Sequence, residues 1–87
     1  LKVDSLSVSA DAEVRVEASE ELVNILLGAL QPEAERPSSP RSRVSMEAEG
    51  RWLIMRINAS DIAALRAALN SYLRWAAAVL DVVDRVR

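Results

Sequence analysis

Asn58-Ala59-Ser60-Asp61-Ile62-Ala63-Ala64-Leu65 opens the stretch that organises the chain, a helical pattern that runs on to Arg87. Ser60 has the hydroxyl of an N-cap, able to accept one of the orphan backbone N–H groups of a first turn. Asp61 beside it places a negative charge where the helix dipole favours one. Beyond them Ile62, Leu65, Leu69, Tyr72, Ala76, Val79, Leu80 and Val83 recur at steps of three and four, which is one helical face. No Gly or Pro interrupts the run, and its Ala, Leu and Arg residues have low intrinsic helix cost. At 1.5 Å per residue the helix is about 40 Å long, roughly twice a common strand. A small sheet cannot cover all of it, so a second covering surface is expected.

The segment before this helix, Arg51 to Ala59, alternates Leu53, Met55, Ile57 and Ala59 with Trp52, Ile54, Arg56 and Asn58. It is the most apolar strand and belongs in the middle of the sheet. Glu49-Gly50 supplies a hairpin turn, because Gly tolerates positive φ, and joins it to a strand in which Val44, Met46 and Ala48 alternate with Arg43, Ser45, Glu47 and Glu49. The loop before that strand is Glu33 to Ser42, whose Pro37-Ser38-Ser39-Pro40 centre cannot form a core element.

Further back, Leu6, Val8, Ala10, Ala12, Val14, Val16 and Ala18 alternate with polar residues, a long strand with one dry and one wet face and either a bend or bulge near Asp11 or fraying at its start. Two short strands are the alternative, though no Gly, Pro or Asn marks a turn. Ser19 then caps a first helix with Glu20 and Glu21 in its opening turn. Its apolar band of Leu22, Val23, Ile25, Leu26, Leu27, Ala29 and Leu30 predicts burial on more than one side, and Pro32 is expected to stop it near Gln31. The order is β-α-β-β-α, an α+β split βαβ unit: a three-stranded antiparallel sheet with two helices on one face, spanning residues 1–87 as a single domain.

The chain has 87 residues, half of them apolar, but only three aromatics and no Phe. An aliphatic, alanine-rich core of this size gives marginal stability, so a partner is expected. The net charge of −2 supplies no global basic field for nucleic acid. Cysteine is absent, which excludes disulfides and thiolate metal sites and fits a cytoplasmic protein. No apolar run approaches a membrane span, and no signal-peptide pattern is seen.

With no His, no Cys and only Gly28 and Gly50 as glycines, the commonest general base, the commonest metal ligands and any phosphate-cradling loop are missing. The chain is expected to be no enzyme and to hold no cofactor or metal. Glu20/Glu21 and Glu47/Glu49 read as helix-start and solvated strand charges.

The last helix carries a more informative stripe. Arg66, Asn70 and Arg74 stand four residues apart on one side, with Ala63, Ala67, Ser71 and Ala78 beside them. Small residues let a second helix approach, and Asn and Arg can set its register. An ordinary wet face, with alanine serving only helicity, is the plainer alternative. Trp52 and Ile54 on the outward face of the central strand offer a contact surface, unless long neighbouring side chains cover them. Trp75 reads as packing rather than as a base-stacking platform. Arg36, Arg41 and Arg43 form the one basic cluster, with Arg51 and Arg56 within possible reach, and are candidates for phosphate contact or for a merely solvated loop.

Leu65-Arg66-Ala67-Ala68-Leu69-Asn70-Ser71-Tyr72-Leu73-Arg74-Trp75 resembles the signature of the Pcc-type (CTAG/Pcc) small subunits of the KEOPS complex. Ile57-Asn58-Ala59-Ser60-Asp61 is similar to that family's strand-to-helix entry ending in Ala-x-Asp. Leu27-Gly28-Ala29-Leu30-Gln31-Pro32-Glu33 is similar to its first-helix end, with Gly28-Ala29 where Ser is commoner. The run Ala76-Ala77-Ala78 is a second departure. The resemblance covers nearly the whole chain.

It implies a non-catalytic accessory subunit of the assembly that installs threonylcarbamoyladenosine at position 37 of tRNA, archaeal-like in forming a homodimer. It also implies binding to the threonylcarbamoyl-transferase subunit through the helices, and help in placing tRNA. Carried onto this sequence, the transferase-facing surface is Arg66, Ala67, Asn70, Ser71 and Arg74, with Leu26 and Leu30 beside them. Dimer contact would fall at the sheet edges or around Trp52 and Ile54, and tRNA contact at Arg36, Arg41 and Arg43. Two other readings are a stand-alone RNA-binding module, which would lack paired sheet aromatics and a GXXG clamp, and a transcription-linked scaffold.

Overall fold

The computed structural model describes residues 9–35 and 41–86. Five elements follow in order: β1 (Ala10–Glu17), α1 (Glu20–Glu35), β2 (Ser42–Glu49), β3 (Trp52–Ala59) and α2 (Ile62–Val86). The strands form one sheet in the order β1-β3-β2, and β3 is antiparallel to both neighbours. The most apolar strand is thus central, as its composition demands. β1 and β2 run parallel on either side of it, which is the split βαβ arrangement the alternation predicts.

Period-two alternation sets the faces. Leu53, Met55, Ile57 and Ala59 point inward and are buried, and each is flanked in register by residues of β1 and β2. Against them α1 lays Val23, Leu26 and Leu30, with Ala76 and Val79 of α2 completing that half of the core. The other half joins Met55 and Ile57 to Tyr72, with Leu65, Ala68 and Leu69 around it. Both helices therefore lie on one face of the sheet. They run antiparallel: Leu22, near the start of α1, lines a groove with Leu80 and Val83 near the end of α2, while Ala34 packs beside the Tyr72 cluster.

Helix starts follow from capping. Ser19 Oγ accepts the Leu22 N–H at 3.2 Å and its carbonyl accepts Val23 N–H at 2.9 Å, so Ser19 caps α1 as expected. In α2 the cap is Asp61, not Ser60. Asp61 Oδ1 accepts Ala64 N–H at 2.7 Å, and its carbonyl takes Leu65 N–H at 3.0 Å. Ser60 instead donates its backbone N–H to the Arg41 carbonyl at 2.8 Å, which ties the strand end to the start of β2. That tie fixes Ser60 one position too early to cap.

Other expectations also shift. Pro32 does not stop α1: the helix continues to Glu35. Proline removes one N–H and its ring crowds the carbonyl four residues back, that of Gly28, but in the last turn of the described helix this does not end the element. The α1 band is buried along one stripe, while Ile25 and Ala29 are exposed. Pairing of β1 with β3 runs unbroken from Ala10 to Glu17, without a bulge at Asp11, and the proposed start of that strand at Leu6 lies outside the described residues. On the α2 face that runs from Ile62 to Val83, Ile62 is 63% and Leu80 36% exposed. The hairpin closes with Gly50 at φ 57°, in the left-handed region that Gly alone adopts without cost.

Candidate functional site: the outer face of the second helix

At 100° per residue the inward face of α2 is centred on Tyr72, and Arg66, Ala67, Asn70 and Arg74 fall on the opposite side. All four are exposed, and Ser71 is half-buried at the margin. The sequence-derived stripe is thus one continuous surface. Arg66 and Arg74 are two steps of four apart, about 12 Å along the axis. Leu73, 44% exposed, borders it on one shoulder. Trp75, 37% exposed, borders it on the other and packs edge-on against Tyr72 with ring centroids 5.1 Å apart.

Charge bookkeeping across the arginines separates scaffold from surface. Arg15 pairs with Glu13 at 2.9 Å, and Arg56 reaches both Glu13 at 3.0 Å and Glu47 at 2.6 Å. Arg51 Nε donates to the Ala18 carbonyl at 3.2 Å, Arg41 pairs with Asp61, and Arg85 with Asp81 at 3.1 Å. Arg66 and Arg74 make no such bond to any described residue, and neither does the Asn70 side chain. Their donors remain available to another molecule.

Leu26 and Leu30, expected beside this surface, are not on it. They are 1% and 2% exposed and sit in the core against Leu53. A period-3.6 argument places residues on a stripe but does not say which stripe meets the sheet, and on α1 this is the one that does.

Of the basic cluster, Arg41 and Arg43 stand two residues apart at the same end of β2. Arg41 is engaged with Asp61 at the α2 cap, Arg43 lies on the outer sheet face in register with Asn58, and Arg36 lies outside the described residues. Arg51 stands at the hairpin, at the opposite end of the strands from Arg41. Arg56 is held between two carboxylates, which raise its already high pKa, the Glu47 hydrogen bond most of all. On the outer sheet face Trp52 is exposed, but Ile54 is only 1% exposed. Its in-register neighbours there are Arg15 and Glu47, long side chains whose stems can cover it.

Among the described residues no group of His, Cys, Asp or Glu is arranged to hold a metal ion. No described helix is long and apolar enough to cross a membrane.

A family model described as "Transcription factor Pcc1" matches residues 9–84. The chain belongs to the Pcc1 family. Among curated proteins, a stretch of 44 residues is 48% identical to the KEOPS complex subunit Pcc1 of Pyrococcus abyssi, strain GE5 / Orsay. The match covers 51% of this chain and 54% of that relative, so it spans about half the length of each. The Pcc1 match takes in four elements whole and α2 as far as Asp84, and with them the stripe from Arg66 to Arg74.

Proposed function

We propose that this chain is a non-catalytic accessory subunit of a cytoplasmic KEOPS-type complex for threonylcarbamoyladenosine modification of tRNA. It binds the threonylcarbamoyl-transferase subunit through the outer face of α2, forms a homodimer that can join two such subunits, and assists tRNA placement as part of the assembly. Family membership and the KEOPS name of the Pyrococcus relative support the assembly. The observation that carries the binding surface is the uncommitted set Arg66, Asn70 and Arg74 on an alanine-lined face with apolar shoulders at Leu73 and Trp75. Small residues admit a partner helix at 8–10 Å between axes, and the three polar side chains fix its register.

Of the two routes to self-association, the sheet edges are the better supported. Among the described residues β1 and β2 each pair with β3 alone and leave an open edge, while Ile54 is already covered within the chain. Trp52→Ala is expected to leave the dimer intact, as read by sedimentation.

A stand-alone RNA-binding module is less well supported, since the open sheet face carries Asp11, Glu13, Glu17, Glu47 and Glu49 against three arginines. A transcription-linked scaffold finds support in the description of the family and in no feature of the site. The test is reconstitution of tRNA threonylcarbamoylation from the other KEOPS subunits. Adding the chain should raise product yield, and the Arg66→Glu/Arg74→Glu variant should not. Equal yield with and without the chain contradicts the proposal.

A further inference from the structure

The outer face of the sheet can be read row by row from the strand register. Asp11, Asn58 and Arg43 form one row, then Glu13, Arg56 and Ser45, then Arg15, Ile54 and Glu47, and last Glu17, Trp52 and Glu49. The first three rows are satisfied in their carboxylates, although the Arg43 side chain bonds to no described residue. Asn58 donates to Asp11, Arg56 binds Glu13 and Glu47, Arg15 binds Glu13, and Ile54 is covered. The last row is not. Trp52 is 40% exposed, and neither Glu17 nor Glu49 pairs with any described residue.

We infer that the Glu17-Trp52-Glu49 row is a docking point for an arginine-bearing segment of a partner protein. Directly opposed residues have Cβ atoms about 4.5–5.5 Å apart, so each carboxylate stands one strand away from the indole, on either side of it. A guanidinium is planar, stacks on an indole face and forks onto a carboxylate, so it satisfies both kinds of group at once. Charge decides against the competing occupants. A second copy of this row would bring four carboxylates together around two indoles, and a phosphate backbone would meet two carboxylates with no cation in the row. This inference is independent of the α2 surface, which lies on the other side of the sheet.

The test uses the full chain in a Trp75→Phe background, so that Trp52 is the sole tryptophan, with a hexa-arginine peptide as probe. Trp52 emission should change saturably. The apparent affinity should fall at least tenfold in Glu17→Gln/Glu49→Gln, and should stay within twofold in Glu20→Gln/Glu21→Gln, which removes the same charge elsewhere. Equal weakening in both double variants would reduce the effect to net charge and overturn the inference. So would the absence of any saturable change, or a Trp52 response to polyuridylate instead of the peptide.

Discussion

Asp61 Oδ1 takes the Ala64 N–H at 2.7 Å while its second oxygen meets the Arg41 guanidinium, so one carboxylate both caps α2 and anchors the start of β2. Its pKa is lowered, first by the Ala64 backbone bond and then by Arg41. A carboxylate with a lowered folded-state pKa contributes stability above its unfolded value, about 3.9, and that contribution is lost as pH falls through the lower folded value. Asp61→Ala should therefore lower the melting temperature near neutral pH, and Asp61→Asn should flatten the loss on acidification below pH 4. Ser60→Ala, by contrast, should change little. Thermal melts from pH 2 to pH 7 check all three.

The two glycines should respond to alanine in opposite directions. Gly50 has φ 57°, and a side chain there costs about 1–2 kcal/mol although no atom lies within 4 Å of its added Cβ. Gly28 is helical with open space around its added Cβ, so Gly28→Ala should stabilise by roughly 0.5–1 kcal/mol. Urea unfolding with unchanged slope reads both.

Core and surface leucines should separate equally clearly. Leu26→Ala removes a side chain buried against Leu53 and should cost about 2–5 kcal/mol, enough to unfold a small domain in large part. Leu73→Ala, on the exposed shoulder of α2, should leave stability within about 0.5 kcal/mol. Circular dichroism of the two variants decides this.

Much of the fold was legible because its signals are local. Alternation in Val14 and Val16 or in Leu53 and Met55 sets strand faces, Gly50 marks the hairpin, and Ser19 marks a helix start. What the sequence left open depends on tertiary placement. Ser60 reads as the cap with Asp61 just inside, but in the packed chain Ser60 bonds back to Arg41 and Asp61 takes the cap. Ile54 looks exposed by alternation, yet its flanking neighbours Arg15 and Glu47 become visible only once the register is known. In the same way, the spacing of Arg66, Asn70 and Arg74 defined the stripe. That they lack partners, while Arg41 and Arg56 have them, could be learned only from the packed chain.

The measurement that bears most directly on the account is mass by light scattering, on the chain alone and mixed with a KEOPS threonylcarbamoyl-transferase subunit. The account predicts a dimer alone and a stoichiometric complex on mixing, and predicts that Arg66→Glu/Asn70→Arg abolishes the complex while leaving the dimer. A chain whose mass does not change when the transferase is added would contradict it.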